Sequence, residues 1–598
     1  MDKPKVVAII QARMGSSRLP GKVLLPIAGK PLLWHIIYRL KKSNLVDDIA
    51  IATSNKPSDD PIEAFAVQNG LSIVRGSQDN VLERFAKAAE VLNPDVIVRV
   101  CGDSPLVDPG MIDFMIQALI EAGADYCTGE KGVPSIHEGF SPFTRSALKR
   151  LLDTASEDPV AIEHVTGYFK QHPDNFLITR VPVPVEHQFQ EARISIDTPS
   201  DVRFIETVYG QLDVPVGDAD MADVVKLLRA KPELLDINSH VYQKKATDKS
   251  LEILIRCDGD SRVGMGHVVR CLALAEELRD GHGCGITFAM GTDGVGAEKV
   301  KKEGFPLVIQ NADSHEEKWL DNLIQNYSFD VLVFDIRTDL LRDSLRQWRH
   351  EGQFVVLIDD PSDRRLEADL AFYPPVPQVK RIDWTGFTGE LYVGWEWVIL
   401  RKEFSQEIVN KKSAIRNPQS AIAKVLVTMG GSDPQGMTFK AVKALELLEE
   451  EFEVVVVLGA GFQHKKQLDD LLSGCKHHFD VQEDVINMAE LMTQSDLAVA
   501  SFGVTAYELA AMGVPAIYLC LTEDHAESAS AFVEADMAVC LGVFTHVSTE
   551  MMTGGISNIL NNKSLLSGLA NNARKYIDGQ GVARISHLMI ERFETGNE

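Results

Sequence analysis

Short apolar runs followed by segments of helical periodicity recur along this chain, and no other feature limits its possible folds as much. Residues 6–10 precede a helical pattern at 32–40, 48–52 precede 61–69, 71–74 precede 81–92, and 96–100 precede 111–121. Strand-length runs alternating with helices predict parallel sheets covered by helices on both faces. The pattern breaks in the polar stretch 236–250 and restarts at 251–255. A second polar stretch near 405–420 precedes another restart at Lys424. With 598 residues the chain is too long for one core. The expected class is α/β, with a Rossmannoid unit at 1–240, a linker at 241–250 and two further Rossmann-like lobes at 251–410 and 411–598.

Ligands of such sheets sit beyond the carboxyl ends of the strands. After the first run the chain reads Gln11-Ala-Arg-Met-Gly-Ser-Ser-Arg-Leu-Pro-Gly-Lys22. Small residues that expose backbone N–H groups, with Ser16, Arg13, Arg18 and Lys22, suit a polyphosphate chain. It is not a Walker loop, because neither Ser nor Thr follows Lys22, and no third glycine completes the dinucleotide fingerprint. The alternative is a basic surface turn. Two further segments compete for the same sheet edge: Gly102-Asp103-Ser-Pro-Leu-Val-Asp108, and Arg193-Ile-Ser-Ile-Asp197-Thr-Pro-Ser-Asp201, where a short strand is expected to end at Asp197. Asp103 and Asp197, brought together, would hold a hard cation such as Mg²⁺ against phosphate oxygens. Taken singly, each reads equally as a helix N-cap, the part expected of Asp108 and Asp201.

A net charge of −26 argues against nonspecific binding to nucleic acid or an anionic membrane, but not against a local basic pocket. No apolar run approaches ~18 residues, and the first residues carry a strand rather than a signal peptide. The eight cysteines include no Cys-x-x-Cys pair, which fits reduced thiols in a cytoplasm better than disulfides or a zinc site.

Ile10-Gln-Ala-Arg-Met-Gly-Ser-Ser-Arg-Leu-Pro-Gly-Lys-Val-Leu24, Val98-Arg-Val-Cys-Gly-Asp-Ser-Pro-Leu-Val-Asp-Pro109 and Ile196-Asp-Thr-Pro199 resemble the spore-coat polysaccharide cytidylyltransferase family, a relative of the sialic acid and Kdo cytidylyltransferases. The resemblance spans about 240 residues and implies a GT-A-like fold. It also implies a sugar-acid hydroxyl attacking the α-phosphate of CTP, with Arg13 and Lys22 neutralising phosphate charge and Asp103 and Asp197 holding the metal. Ile136-His-Glu-Gly-Phe-Ser-Pro-Phe143 departs from the Gly-x-Asp-x-Glu-Val-Phe-like stretch of relatives, in a segment expected to touch the sugar. Glu163-His164-Val-Thr166 matches the family, and reads equally as a helix start with an incidental histidine.

After the restart at 251–255 come Arg256-Cys-Asp-Gly-Asp-Ser-Arg-Val-Gly264-Met-Gly266-His267-Val-Val-Arg270 and a helix over 271–278. Glycines before a helix start favour an anion, and His267 and Arg270 share one helix face. His267 is a candidate base or a packing residue. Asp359 and Asp360 either position a hydroxyl or end a strand. Met429-Gly430-Gly431-Ser432-Asp433 is another phosphate-type turn. Glu508, one turn into a helix after Ser501-Phe-Gly-Val-Thr505, either accepts ribose hydroxyls or is a first-turn glutamate favoured by the helix dipole. These segments, with Gly394 and Ile399-Leu-Arg-Lys-Glu-Phe404, resemble GT-B nucleotide-sugar enzymes. More narrowly, they are similar to the UDP-2,4-diacetamido-2,4,6-trideoxy-β-L-altropyranose hydrolase family of pseudaminic acid biosynthesis. That resemblance covers about 330 residues and implies water attacking the anomeric carbon as UDP departs. His267 would be the base, Gly430, Gly431 and Ser432 would contact phosphate, and Glu508 would contact ribose. Glu523-Asp524-His525 replaces amides of that family, and acids there would repel diphosphate.

The expected protein is therefore bifunctional, transferring CMP from CTP to a sialic-acid-like nonulosonic acid and hydrolysing a UDP-sugar. Its metal is Mg²⁺, no nucleic-acid or membrane partner is expected, and a homodimer is the assembly to test. The competing readings make the second half a glycosyltransferase or a silent nucleotide-sugar-binding module.

Overall fold

Val6–Gln11 (β1) is buried through its first five residues, because both faces of the strand meet helices. Val6, Ala8 and Ile10 face one apolar cluster, and Val7 and Ile9 face another. Each such side chain contributes about 1.5–3 kcal/mol on burial. A small hairpin, β2 (Pro26–Ile27) and β3 (Lys30–Pro31), follows the Gln11–Lys22 loop. Then come β4 (Asp48–Ser54), β5 (Ser72–Gly76), β6 (Val96–Cys101), β7 (Tyr126–Gly129), β8 (Phe140–Thr144) and β9 (Ile178–Val181). With β1 they form a seven-stranded sheet in the order β5-β4-β1-β6-β8-β7-β9.

β1 pairs in parallel with both β4 and β6, so the strand order reverses at β1 and a crevice opens at the ends of β1 and β6. The expected wholly parallel sheet is mixed: β8 runs antiparallel to β6 and β7. The 136–143 segment is thereby folded back beside β6 instead of crossing over through a helix.

The structure, a computed structural model, describes residues 3–16, 18–242, 251–260, 264–311, 314–405, 423–459, 461–483, 485 and 487–596. Most of the expected 241–250 linker and the expected boundary at 410/411 lie outside them. The chain forms two units. The first is Met1–Ser250 with Arg279–Gly285 and Glu303–Phe305, and the second is Leu251–Leu278 with Ile286–Lys302 and Pro306–Glu598.

The second unit holds two α/β lobes. One contains β10 (Glu252–Cys257), β11 (Gly285–Met290), β12 (Leu307–Ile309), β13 (Val331–Asp335), β14 (Phe354–Ile358), β15 (Leu370–Tyr373) and β16 (Glu390–Val393), in the order β12-β11-β10-β13-β14-β15-β16. The other contains β17 (Ala423–Thr428), β18 (Phe452–Leu458), β19 (Phe479–Glu483), β20 (Leu497–Ser501), β21 (Ala516–Cys520) and β22 (Ala538–Val543), in the order β19-β18-β17-β20-β21-β22. The order reverses between β10 and β13 in the first lobe and between β17 and β20 in the second, giving each lobe its own crevice.

Two local expectations change. No strand ends at Asp197: residues 191–198 are irregular, tied in by separate bonds such as that from the Ile196 amide to the Asp103 carbonyl at 2.8 Å rather than by a ladder. The helix expected at 271–278 spans Gly266–His282, which puts His267 inside its first turn.

Candidate active sites

In the first unit, β1 and β6 end side by side, and the Gly102 amide donates to the Gln11 carbonyl at 2.9 Å. A side chain at Gly102 would meet that carbonyl oxygen at 2.6 Å, so only glycine lets the two loops close together. Lys22, just after Gly21 in its left-handed conformation (φ 73°), is 9% exposed. Its Nζ donates to Asp103 Oδ2 at 2.8 Å, Asp197 Oδ1 at 2.6 Å and the Ile196 carbonyl at 2.9 Å. The two carboxylate oxygens are therefore no further apart than those first two bonds laid end to end. Arg18 Nη2 reaches Asp197 Oδ2 at 2.9 Å, and Arg193 pairs with Asp197 and with Asp201.

Burial works against charge on Asp197, but Lys22, Arg18 and Arg193 outweigh it and hold the carboxyl well below the ordinary carboxylate range. Burial likewise penalises the Lys22 ammonium, and Asp103 and Asp197 overcome this and raise its pKa. Glu138 differs: burial, then the charge of Asp103, pushes it up to about 7.

Arg13 is exposed and does not join the cluster of Lys22, Arg18, Asp103 and Asp197. Ser16 Oγ stays within the loop, accepting from the Leu19 amide at 3.3 Å. Asp108 caps the helix Pro109–Ala122, and Asp201 completes the capping box of Pro199–Leu212. His164 ends the helix Pro159–His164, and Glu163 is exposed.

Two residues escaped the sequence reading. Asp59, 1% exposed, fixes the loop by accepting from the Met14 amide at 2.8 Å. Arg84 is 2% exposed, with Nε and Nη1 buried and without hydrogen-bond partners. Its pKa is lowered by burial first and then by the charge of Arg13. A buried guanidinium with unused donors beside a second arginine is suited to an anion. The signal was its place in the first turn after the Asn80 cap, but an arginine on an amphipathic helix reads as surface.

In the second unit, His267 Nδ1 lies 2.6 Å from Asp335 Oδ1. Asp335 ends β13 and is fully buried. It accepts from Arg270 Nη2 at 2.6 Å, while that nitrogen stands 3.2 Å from His267 Nδ1. Burial would raise the Asp335 pKa, but Arg270 and then His267 hold it well below the ordinary range. With Nδ1–H directed at Asp335, His267 keeps the Nε2 lone pair for a proton. Asp335 was not singled out in the sequence, where it reads as one acid ending an apolar run.

Asp359, at φ +52°, joins this cluster through Arg270 at 3.5 Å and Arg337 at 3.1 Å. A non-glycine residue held in the left-handed region is a strained position. Asp360 does not join: it is buried on Arg364 and Ser362.

Gly264 (φ +83°) and Gly266 lead into the Gly266–His282 helix, and a Cβ on Gly266 would lie 3.2 Å from Val504 of the other lobe. The N-termini of Gly266–His282 and Val504–Met512 thus meet, which brings the positive ends of two helix dipoles together. Gly430 (φ +78°) lies beside Ser501, at the meeting of the β17 and β20 ends, with Gly431 and Ser432 exposed after it. Asp433 caps the following helix, accepting from the Met437 and Thr438 amides at 2.8 Å each.

Glu508 is 5% exposed and bonded by Arg401 at 2.9 and 3.1 Å; burial raises its pKa. Of the acidic replacements, Asp524 takes Gln378 Nε2 at 3.0 Å, and the neighbouring Glu527 pairs with Arg381. These acids join the two lobes. Glu523 is exposed, and His525 Nδ1 is buried without a hydrogen-bond partner.

Doubly wound sheets with cations and acids gathered at their reversal points define a nucleotide-handling α/β enzyme. A cytidylyltransferase family model matches residues 7–228. The spore coat polysaccharide biosynthesis protein SpsF of Bacillus subtilis is 36% identical over 232 residues, covering 38% of this chain and 95% of that protein. The chain belongs to the cytidylyltransferase family. A 3-deoxy-manno-octulosonate cytidylyltransferase of Geobacter metallireducens is 34% identical over 252 residues, 38% of this chain and 98% of its own. The spore coat polysaccharide biosynthesis protein SpsG of Bacillus subtilis is 26% identical over 350 residues, 58% of this chain and 99% of its own. The chain thus joins an SpsF-like region to an SpsG-like region made of two α/β lobes. Among the described residues no helix is long and apolar enough to cross a membrane.

Proposed function

We propose that the first unit transfers CMP from CTP to a nonulosonic, sialic-acid-like sugar acid. The observation that carries this reading is Lys22 Nζ bonded to both Asp103 and Asp197. Asp103 and Asp197 are hard oxygen donors close enough to share one ion, and so fit Mg²⁺. Bound there, the metal would supply charge neutralisation at the triphosphate. Lys22 and Arg18, held ready by these same carboxylates, exchange them for phosphate oxygens as the nucleotide enters. Arg84, through its unused donors, and the neighbouring Arg13 add further positive charge to the triphosphate. The sugar hydroxyl gives up its proton to solvent as its oxygen bonds to the α-phosphorus, the bond from that phosphorus to the bridging oxygen breaks, and pyrophosphate leaves with the electron pair. Full-length protein incubated with CTP, Mg²⁺ and a panel of nonulosonic acids tests this by pyrophosphate release; no release with any acid sinks it.

For the second unit we propose hydrolysis of a UDP-2,4-diacetamido-trideoxyhexose. His267 Nε2 takes a proton from water, the water oxygen bonds to the anomeric carbon, and the bond from that carbon to UDP breaks. Asp335 holds the ring and stabilises the imidazolium. The paired helix N-termini and the Gly430, Gly431 and Ser432 turn receive the diphosphate, and Glu508 lies toward the ribose. The glycosyltransferase reading uses the same groups with a hydroxyl in place of water, and UDP release without added acceptor separates the two. UDP-sugar binding with no turnover would instead leave a silent module. The Asp524 and Glu527 contacts favour turnover, because they tie lobe to lobe and need not face phosphate. Eight free cysteines support placing both activities in a reducing cytoplasm.

A further inference from the structure

Asp108, His137 and His187 come from three separated segments of the first unit: the cap of the helix Pro109–Ala122, the connection before β8, and the end of the turn Val185–His187. One ligand atom of each lies within 4.8 Å of the other two. His137 Nε2 and His187 Nδ1 are 2.9 Å apart, and the two rings are 84° from coplanar. The segments are also joined by the backbone, from the Ile136 amide to the His187 carbonyl at 3.1 Å.

Asp108 spends Oδ1 on the Met111 amide at 2.7 Å, which leaves its second oxygen for another partner. His137 presents Nε2 to this point, facing His187 Nδ1. A cavity of about 530 Å³, lined by Asp108, His187, Phe114, Pro184, Asp218 and Asp220, opens beside the cluster.

We propose that Asp108, His137 and His187 bind one divalent transition-metal ion of the zinc type, with its remaining position open to this cavity. Two imidazoles and one carboxylate are the donor set such ions prefer, whereas Mg²⁺ prefers oxygen alone. Tetrahedral coordination at Zn–N distances of about 2.0–2.1 Å places two nitrogens about 3.3 Å apart, so the pair needs to open by only a few tenths of an ångström. The ion would clamp together three segments that no ladder joins at this point. One of them carries Glu138, which accepts from the Ile194 amide at 3.1 Å, on the approach to Asp197. The site is independent of the Asp103 and Asp197 pair and does not rest on the proposed reactions.

The full-length protein, stripped with chelator and dialysed, is titrated with Co²⁺ in excess Mg²⁺. One equivalent with the visible ligand-field bands of a four- or five-coordinate site is expected, displaced by Zn²⁺. His187→Gln and His137→Gln each abolish the bands, while Asp103→Asn retains them. Absence of the bands in the unaltered protein, or their persistence in both histidine variants, overturns the proposal. X-ray absorption of the zinc-loaded, unaltered protein needs no variant. Two imidazole scatterers and no sulfur support the site, and a sulfur shell, pointing to the cysteines, refutes it.

Discussion

Lys22 is held by acids 81 and 175 residues further along the chain. His267 shares its helix turn with Arg270, and both bind a single acid, Asp335. Both sites stand where a doubly wound sheet reverses its strand order. The difference lies in what the ion pairs are for. In the first unit the carboxylates that clamp Lys22 are the ones the proposed chemistry needs for a cation, so the pairs must be exchanged when a nucleotide enters. In the second unit the Asp335 pair is never given up, because the proposed step needs the imidazole held still. A stored charge and a fixed base can thus occupy equivalent positions in similar sheets, and only the partners tell them apart.

The sharpest way to break this comparison is to remove each centre and read both products. His267→Ala should lower UDP release by about 10²–10⁴-fold, the range for a lost general base, with pyrophosphate release intact. Lys22→Ala should lower kcat/KM for pyrophosphate release by roughly 10²–10³-fold, as for the loss of one transition-state charge contact, with UDP release intact. If either variant lost both activities equally, the sites would not be separate.

Asp335→Asn sharpens the fixed-pair half of the comparison through stability. Removing one partner of a buried ion pair costs about 3–5 kcal/mol, visible as a lower unfolding midpoint at neutral pH. The Asp335 pKa is depressed in the folded protein. Its stabilising contribution is therefore complete above the unfolded value of about 4 and is lost as pH falls from there through the folded value. The gap between the two proteins should close in that acid window; a gap that stays constant down to pH 2 would count against the pair. Arg84→Met is expected to have the smallest effect, raising the KM for CTP roughly 10- to 150-fold, as for one lost charge-assisted contact of about 1.5–3 kcal/mol. An unchanged KM would remove Arg84 from the phosphate site.

The sequence by itself determined the alternation of strand and helix, the glycine-bearing loops and the placement of Lys22, Asp103, His267 and Gly430 after strands. These are local signals: burial on both faces writes an apolar run, and a tight turn writes glycine. Asp197 was legible as a residue but not in its setting, since the strand expected there is an irregular segment held by single bonds. Asp335 was invisible because an acid at a strand end has the same local pattern whether it caps a helix or grips a histidine. Arg84 was hidden by helical periodicity, and Asp524 looked like a threat to phosphate until its partner Gln378 on the other lobe was known. Only the tertiary structure decided these cases. Electrostatic partners 65 to 175 residues apart leave no periodic trace, and whether an ionised side chain is stored, fixed or exposed depends on the charges folding brings within a few ångströms of it.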